Sequence, residues 1–376
     1  MTGAPVQVDA AVLERLAAGS LVLAAGAAES AFRVALDWAR ASVAAHGPVR
    51  LLAPDELGGL RLCMTVTLVG SSAALAEQLP TGAETVRAVR ALERLLGARA
   101  DAVVALNTAG ENALLSVAAA ADCGLPLVDG DGCGRVLPLL EQSTFTLAGV
   151  AAAPLALATP SGDVVVVESA GGRVEDLVRP LVPAAGGWAV AVCYAMPGDV
   201  LAGSVVPGTV GRAIRAGSAR PGNLFAPWSP RRLCRGRITA VEHPVATEDD
   251  PYGYGPPEPD GPAGSGSAPS WPALPSRPTS VLIAETEGIG RHFRLEAHNE
   301  VLLALADGAP VAAAPDQILI LSASADRRVL DVERAVPGVE VEVVVIAAAP
   351  AWQTPEGRRL ARTGAMDAPG AQEEPW

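Results

Sequence analysis

Aromatic side chains make up only 3% of this 376-residue chain, which argues against the stacking platforms that carry single-stranded nucleic acids. Basic residues are also in deficit, 28 against 41 acidic, and the net charge of −13 repels phosphate backbones and anionic membrane surfaces. No nucleic acid and no membrane is therefore expected as a partner. The one short basic patch, Arg231-Arg232 with Arg235 and Arg237, reads as the solvated start of a strand. Paired cysteines are missing. Cys63, Cys123, Cys133, Cys193 and Cys234 are scattered, odd in number and never spaced CxxC, so neither a disulfide framework nor a zinc-finger spacing is present. His46, His243, His292 and His298 show no HxxxH spacing. No apolar run reaches membrane-spanning length without charges or glycine breaks, and no basic segment leads into an apolar one at the N-terminus. A cytoplasmic protein is expected.

What the chain does have is apolar bulk. Hydrophobic residues are 50% of the total and charged ones 18%, enough for large cores carried mainly by Ala, Val and Leu. The length suggests two domains. From residue 10 to about 220, apolar runs alternate with helical patterns, as in an α/β domain with a mixed or mostly parallel sheet. Strands are expected at 21–24, 49–52, 62–68, 102–106, 126–128, 164–168 and 189–193, and helices at 10–18, 29–45, 83–96, 111–121, 173–181 and 210–216. The helix at 83–96 is signalled by a Thr81-x-x-Glu84 capping box, with Val86, Val89, Leu92 and Leu96 on one face and Gly97 at its end. Beyond 230 the texture becomes β-rich, with runs at 237–241, 280–285, 291–297, 301–305, 318–321 and 341–346. The expected division is an α/β domain over 1–225, a smaller β-rich domain over 226–360 and a tail at 361–376, with a Pro/Gly/Ser-rich insertion at about 251–279.

The most informative stretch runs from Leu125 to Arg135. A short apolar strand opens there into Asp129-Gly130-Asp131-Gly132-Cys133-Gly134-Arg135, which places charge at the carboxyl edge of a sheet, where α/β proteins bind ligands. Asn107, Gly110 and Asn112 follow another predicted strand and open a helix, a second sheet-edge position at which backbone amides suit an anionic group.

Several strings, in order, resemble the family labelled domain of unknown function 917, some of whose members are described as S-methyl thiohydantoin desulfurases. They are Leu125–Arg135 with Pro138 and Thr144-Phe145; Leu147-Ala148-Gly149 with 153–158; Val206-Pro207-Gly208-Thr209; Arg235-Gly236-Arg237; Asn299-Glu300; Pro315-Asp316; and 352–357. The resemblance implies an α/β N-terminal and a β-rich C-terminal domain, and company with hydantoinases and oxoprolinases, enzymes of five-membered cyclic amides. The implied reaction is hydrolysis, in which water replaces sulfur at the carbon between the two ring nitrogens of a thiohydantoin. This chain departs from the family pattern at three places. A run of four glycines is reduced to Ala24-Ala25-Gly26-Ala27-Ala28, the glutamate of Glu-x-Gly-Gly-x-Asn becomes Asn107, and Pro-Glu becomes Pro138-Leu139.

With the resemblance, Asp129 or Asp131 is expected as general base, Arg135 as its electrostatic partner and Asn112 as the group that orients the ring. Asn107, Gly110, Gly132, Gly134, Asn299 and Glu300 complete the expected substrate site. A divalent metal held by Asp129 and Asp131 is a second reading, and a turn whose carboxylates only satisfy backbone amides is the plain alternative. For Arg135 the plain alternative is a salt bridge within the turn, and for Cys133 a small buried filler. A non-catalytic partner subunit of a hydantoinase-type enzyme is the rival to a hydrolase. A homo-oligomer is the expected assembly.

Overall fold

Nine short strands of the N-terminal half form one mixed sheet. In the computed structural model the described residues are 6–24, 29–169, 173–220, 223–242, 279–298, 300–324, 327–332 and 335–362. Asn299, the Pro/Gly/Ser-rich insertion up to 278, the tail from 363 and the segment 25–28 lie outside them. The elements in chain order are β1 (Gln7–Val8), α1 (Ala10–Ser20), α2 (Glu29–His46), β2 (Val49–Leu52), β3 (Cys63–Gly70), α3 (Ser72–Glu77), α4 (Glu84–Leu96), β4 (Ala102–Ala105), α5 (Glu111–Cys123) and β5 (Leu127–Asp131). They continue with α6 (Thr144–Leu147), β6 (Leu155–Ala158), β7 (Val164–Val167), α7 (Val174–Val178), α8 (Leu181–Ala184), β8 (Trp188–Met196), α9 (Gly198–Ser204), β9 (Val206–Pro207) and α10 (Thr209–Gly217). The strand order is β1-β2-β5-β4-β3-β8-β6-β7, with β9 added to β5. The neighbours β2, β5, β4 and β3 are parallel, so their carboxyl ends share one edge.

Both faces of the sheet are covered, and side-chain alternation sorts its residues accordingly. Met64, Val66, Val103, Val190 and Val192 join the core beneath α1, α2, α4 and α5, while Cys63, Ala102, Val104, Ala191 and Cys193 join the opposite core with Phe145, Val174 and Leu201. The expected capping box is not made: α4 begins at Glu84 with Ala83 as an N-cap without a side-chain cap bond, and the Thr81 N–H and hydroxyl both donate to Glu84 Oε1 at 2.8 Å ahead of the helix. The buried face of α4 is Ala88, Val89, Ala91 and Leu92, rotated from the expected one, and Leu96 is exposed.

Two expected elements are corrected. Residues 21–24 form no strand; α1 runs on to Ser20 and a turn follows, with Val22 and Leu23 buried against Leu319, Leu321 and Ile346 of the second domain. The helix expected at 173–181 is two short ones, α7 and α8. Pro207 lies in β9, and α10 starts after it at Thr209, behind Gly208 in the left-handed region at φ 72°.

The C-terminal strands β10 (Arg231–Glu242), β11 (Thr279–Glu285), β12 (His292–His298), β13 (Glu300–Ala306), β14 (Ala309–Ser322) and β15 (Glu340–Ile346) close into an antiparallel barrel. Closure removes the open edges that a six-stranded sheet would otherwise present. A final helix, α11 (Pro355–Arg362), returns to the N-terminal domain. The junction is tied by polar side chains of one domain reaching backbone carbonyls of the other. Trp352, fully buried, donates its indole N–H to Cys133 O at 2.7 Å, Gln317 Nε2 donates to Leu23 O at 2.9 Å, and Gln142 Nε2 donates to Leu360 O at 3.1 Å. Among the described residues no helix is long and apolar enough to cross a membrane.

Candidate functional site

The acidic turn follows an irregularity in β5. Val103 pairs with Leu127 but Ala105 pairs with Asp131, so β5 carries two extra residues against β4. Such a bulge re-aims the side chains beyond it. Asp129 and Asp131 accordingly serve different neighbours. Asp129 Oδ1 accepts from the Gly211 N–H at 2.8 Å and its carbonyl accepts from the Gly208 N–H at 2.8 Å, which anchors the first turn of α10. Asp131 is fully buried and accepts four hydrogen bonds. The Thr108 N–H (2.9 Å) and hydroxyl (2.7 Å) donate to Oδ2, and the Cys133 N–H (3.0 Å) and Gly134 N–H donate to Oδ1. Burial raises its pKa and these four donors oppose the rise. A carboxylate so occupied is a brace for the turn and has no free lone pair aimed at a ligand.

The two carboxylates do not form a metal pair, and among the described residues no group of three or more His, Cys, Asp or Glu side chains is placed to hold a metal. The donor set does not fit a divalent cation. Cys133 is buried, burial pushes its thiol well above the ordinary range, and its Sγ donates to Gln142 O at 3.3 Å, as a small filler would. Gly132 and Gly134 belong to the same scaffold. A Cβ on Gly132 would stand 2.6 Å from the Phe145 ring, and Gly134 adopts φ +69°. Gly132→Ala is therefore expected to lose about 1–3 kcal/mol of stability by overpacking, measured by urea unfolding. An unchanged midpoint would contradict the close approach.

Arg135, only 2% exposed, makes no salt bridge within the turn. It crosses to the barrel, where Nη1 donates to the carbonyls of Pro315 and of Asp316 (2.8 Å), while Nε donates to Val136 O at 3.0 Å. Its Nη2 is buried without a hydrogen-bond partner among the described residues. Asp316 in turn accepts from the Ala348 N–H at 2.9 Å and Gln353 Nε2 at 3.2 Å. The strings 125–135, 315–316 and 352–357 thus meet in one place, the domain junction.

Beside this junction lies a cavity of about 310 Å³, walled by the carboxyl ends of β3 and β4, the start of α5, residues 136–140 and Glu300 at the start of β13. That volume sits at the small end of ligand sites, roughly 300–1,000 Å³. Asn112 Oδ1 accepts from the Leu68 N–H (2.7 Å) and the Thr67 hydroxyl (3.2 Å), which fixes the amide with its NH2 toward Asn107 Oδ1 at 3.4 Å. Asn107 Oδ1 also accepts from the Ala109 N–H at 3.2 Å. Gly110, at φ 50° and ψ −128°, supplies the backbone conformation that turns this loop into α5, and its N–H donates to Ser20 O at 3.2 Å.

Two carboxyls whose buried oxygens have no hydrogen-bond partner among the described residues line the cavity. Glu300, 5% exposed, leaves Oε2 without a partner, and burial pushes it up to about 8 against the lowering pull of Arg135. Glu111, 8% exposed, leaves Oε1 without one; burial raises its pKa while its own backbone N–H and the Ser72 hydroxyl favour the anion. Such perturbed carboxyls in a concave site mark candidate acid–base groups. Of the expected site residues, the structure brings Asn107, Asn112 and Glu300 together at the cavity and places Asp129, Asp131, Arg135, Gly132 and Gly134 in its supporting frame. Glu111 and Glu175 line the cavity and were not expected from the sequence. A glutamate in the first turn of a helix ordinarily offsets the helix dipole in solvent, so only burial reveals Glu111. It brings a carboxyl to the wall where the family pattern would have had one at 107.

Two family models match the chain: one described as S-Me-THD-like, N-terminal domain, over residues 11–169, and one described as S-Me-THD-like, C-terminal domain, over 169–368. Their boundary falls within the N-terminal sheet, since β8 and β9 come after it. An X-ray crystal structure of a protein from Chromobacterium violaceum has the same fold, with a TM-score of 0.70 at 20% identity over 94% of this chain and 95% of that one. No curated protein matches the chain.

Proposed function

Because this chain belongs to the S-Me-THD-like family, we propose that it hydrolyses a small cyclic S-alkylated thiohydantoin of the S-methyl kind in the junction cavity. The observation that carries this reading is the pair Glu111 and Glu300, two buried carboxyls on one small cavity, each with an oxygen unpartnered among the described residues. Glu300, pushed up to about 8, holds its proton at neutral pH and serves as the acid. Glu111, whose pKa burial raises against the opposing pull of its own N–H and the Ser72 hydroxyl, serves as the base. Water adds to the ring carbon between the nitrogens and the carbon–sulfur bond breaks. One water proton ends on the ring nitrogen and the other on the departing thiol. The amides of Asn107 and Asn112 orient the ring. Asp131, Asp129 and Arg135 act at one remove by holding the turn, α10 and the barrel in place.

An enzyme nucleophile is not part of this scheme. The chain has no lysine, and burial pushes Cys63, Cys123, Cys193 and Cys234 up to about 12. Thiol release from a panel of S-methyl thiohydantoins is the test. The native protein is expected to release methanethiol stoichiometrically with hydantoin, and Glu111→Gln to release it at least about a hundredfold more slowly. No release from any member by folded protein would sink the hydrolytic reading.

A further inference from the structure

The described lining of the cavity carries three carboxyls, Glu111, Glu175 and Glu300, and no arginine or histidine. We propose that the cavity accepts ring compounds whose side arm is uncharged or cationic and excludes those bearing a carboxylate, with Glu175 favouring the cationic arm. The selectivity presupposes that a cyclic amide enters this cavity.

An anionic arm finds no counter-charge there. Arg135 is buried outside the described lining, with Nε and Nη1 spent on the carbonyls of Val136, Pro315 and Asp316, and Arg179 at the rim is already paired with Glu175. A carboxylate entering the cavity would lose its hydration and face Glu111 Oε1, which has no hydrogen-bond partner among the described residues, and Glu175 at the rim. An uncharged arm has no such penalty, because the Asn107 and Asn112 amides supply neutral donors. A cationic arm gains a partner. Glu175 is the most exposed of the three, its side chain 19% accessible. Its Oε2 accepts from the Leu140 N–H at 3.1 Å, and its Oε1 pairs with Arg179 at 2.8 Å. Arg179 is 58% exposed and one helical turn away, a pairing of the weak surface kind that a ligand ammonium can replace.

The test uses three hydantoins that share the ring and arm length and end in a methyl, an amino or a carboxylate group, titrated calorimetrically into the full-length protein at neutral pH. The methyl and amino ligands are expected to bind, and the carboxylate to bind at least about tenfold more weakly. Glu175→Gln, which keeps an oxygen for the Leu140 N–H, is expected to lower the amino-to-methyl affinity ratio about fivefold. A carboxylate ligand that binds as tightly as the methyl one overturns the exclusion, and an unchanged ratio in Glu175→Gln overturns the role of Glu175. If none of the three binds, the cyclic-amide reading of the cavity falls and the selectivity falls with it.

Discussion

Asp131→Ala is expected to destabilise the protein by about 4 kcal/mol, because it strands the Thr108 N–H and hydroxyl and the Cys133 and Gly134 N–H groups in a dry interior. Each buried donor left unsatisfied costs about 1–3 kcal/mol, and the four share one acceptor, so the losses do not add fully. Asp131→Asn keeps the shape but turns an NH2 toward N–H donors, and should fall between the two. Urea unfolding with an unchanged slope would measure both changes. A loss below about 1 kcal/mol would show that the turn does not depend on this carboxylate. The same pair of variants separates a brace from a base. If Asp131 only holds the turn, Asp131→Asn keeps its turnover per folded molecule at a temperature where it remains folded. A loss of turnover without loss of stability would return Asp131 to the chemistry.

Glu300→Gln is expected to slow thiol release by about 10²–10⁴, the usual contribution of a positioned acid. The pH dependence gives an independent reading. With Glu300 raised to about 8, native turnover should fall as pH rises through 8, and the variant should lack that limb. Stability has the same direction. The group's ordinary value is 4.5, so between about 4.5 and 8 the folded state holds a proton that the unfolded chain has released. Stability contributed by this group is therefore complete below 4.5 and is lost as pH rises through 8. Arg135 limits the loss and Asp331 adds to it. Unfolding free energy that declines over this range in the native protein and stays flatter in Glu300→Gln supports the buried acid; equal slopes would remove it.

Much of the fold was legible because its strands are apolar runs separated by helices with ordinary stops, such as Gly97 after α4 and Gly124 after α5. The failures have a common physical cause. Val22 and Leu23 are apolar for the sake of the barrel, and periodicity records that a residue is buried without recording by what. The run Leu155–Ala158 is buried on every residue, so it shows no alternation from which to read a strand. The acidic turn was correctly placed at a sheet edge next to the cavity, but its carboxylates could not be sorted from sequence. What separates Asp131 from Glu300 is how many donors surround each, and those donors come from residues as distant as Thr108. Glu300 was reachable through the family strings. Glu111 and Glu175 carried no such signal.

The proposed site, with Glu111 on one domain and Glu300 on the other, cannot be inherited in halves. Loss or exchange of either domain leaves one carboxyl facing empty solvent, so descendants of such a chain can diverge only by substitution within an intact pair. The frame held by Asp131, Arg135 and Trp352 is then the part that tolerates least drift, because one change there disturbs both domains. The walls it supports are free to be refitted without rebuilding the joint between the two domains.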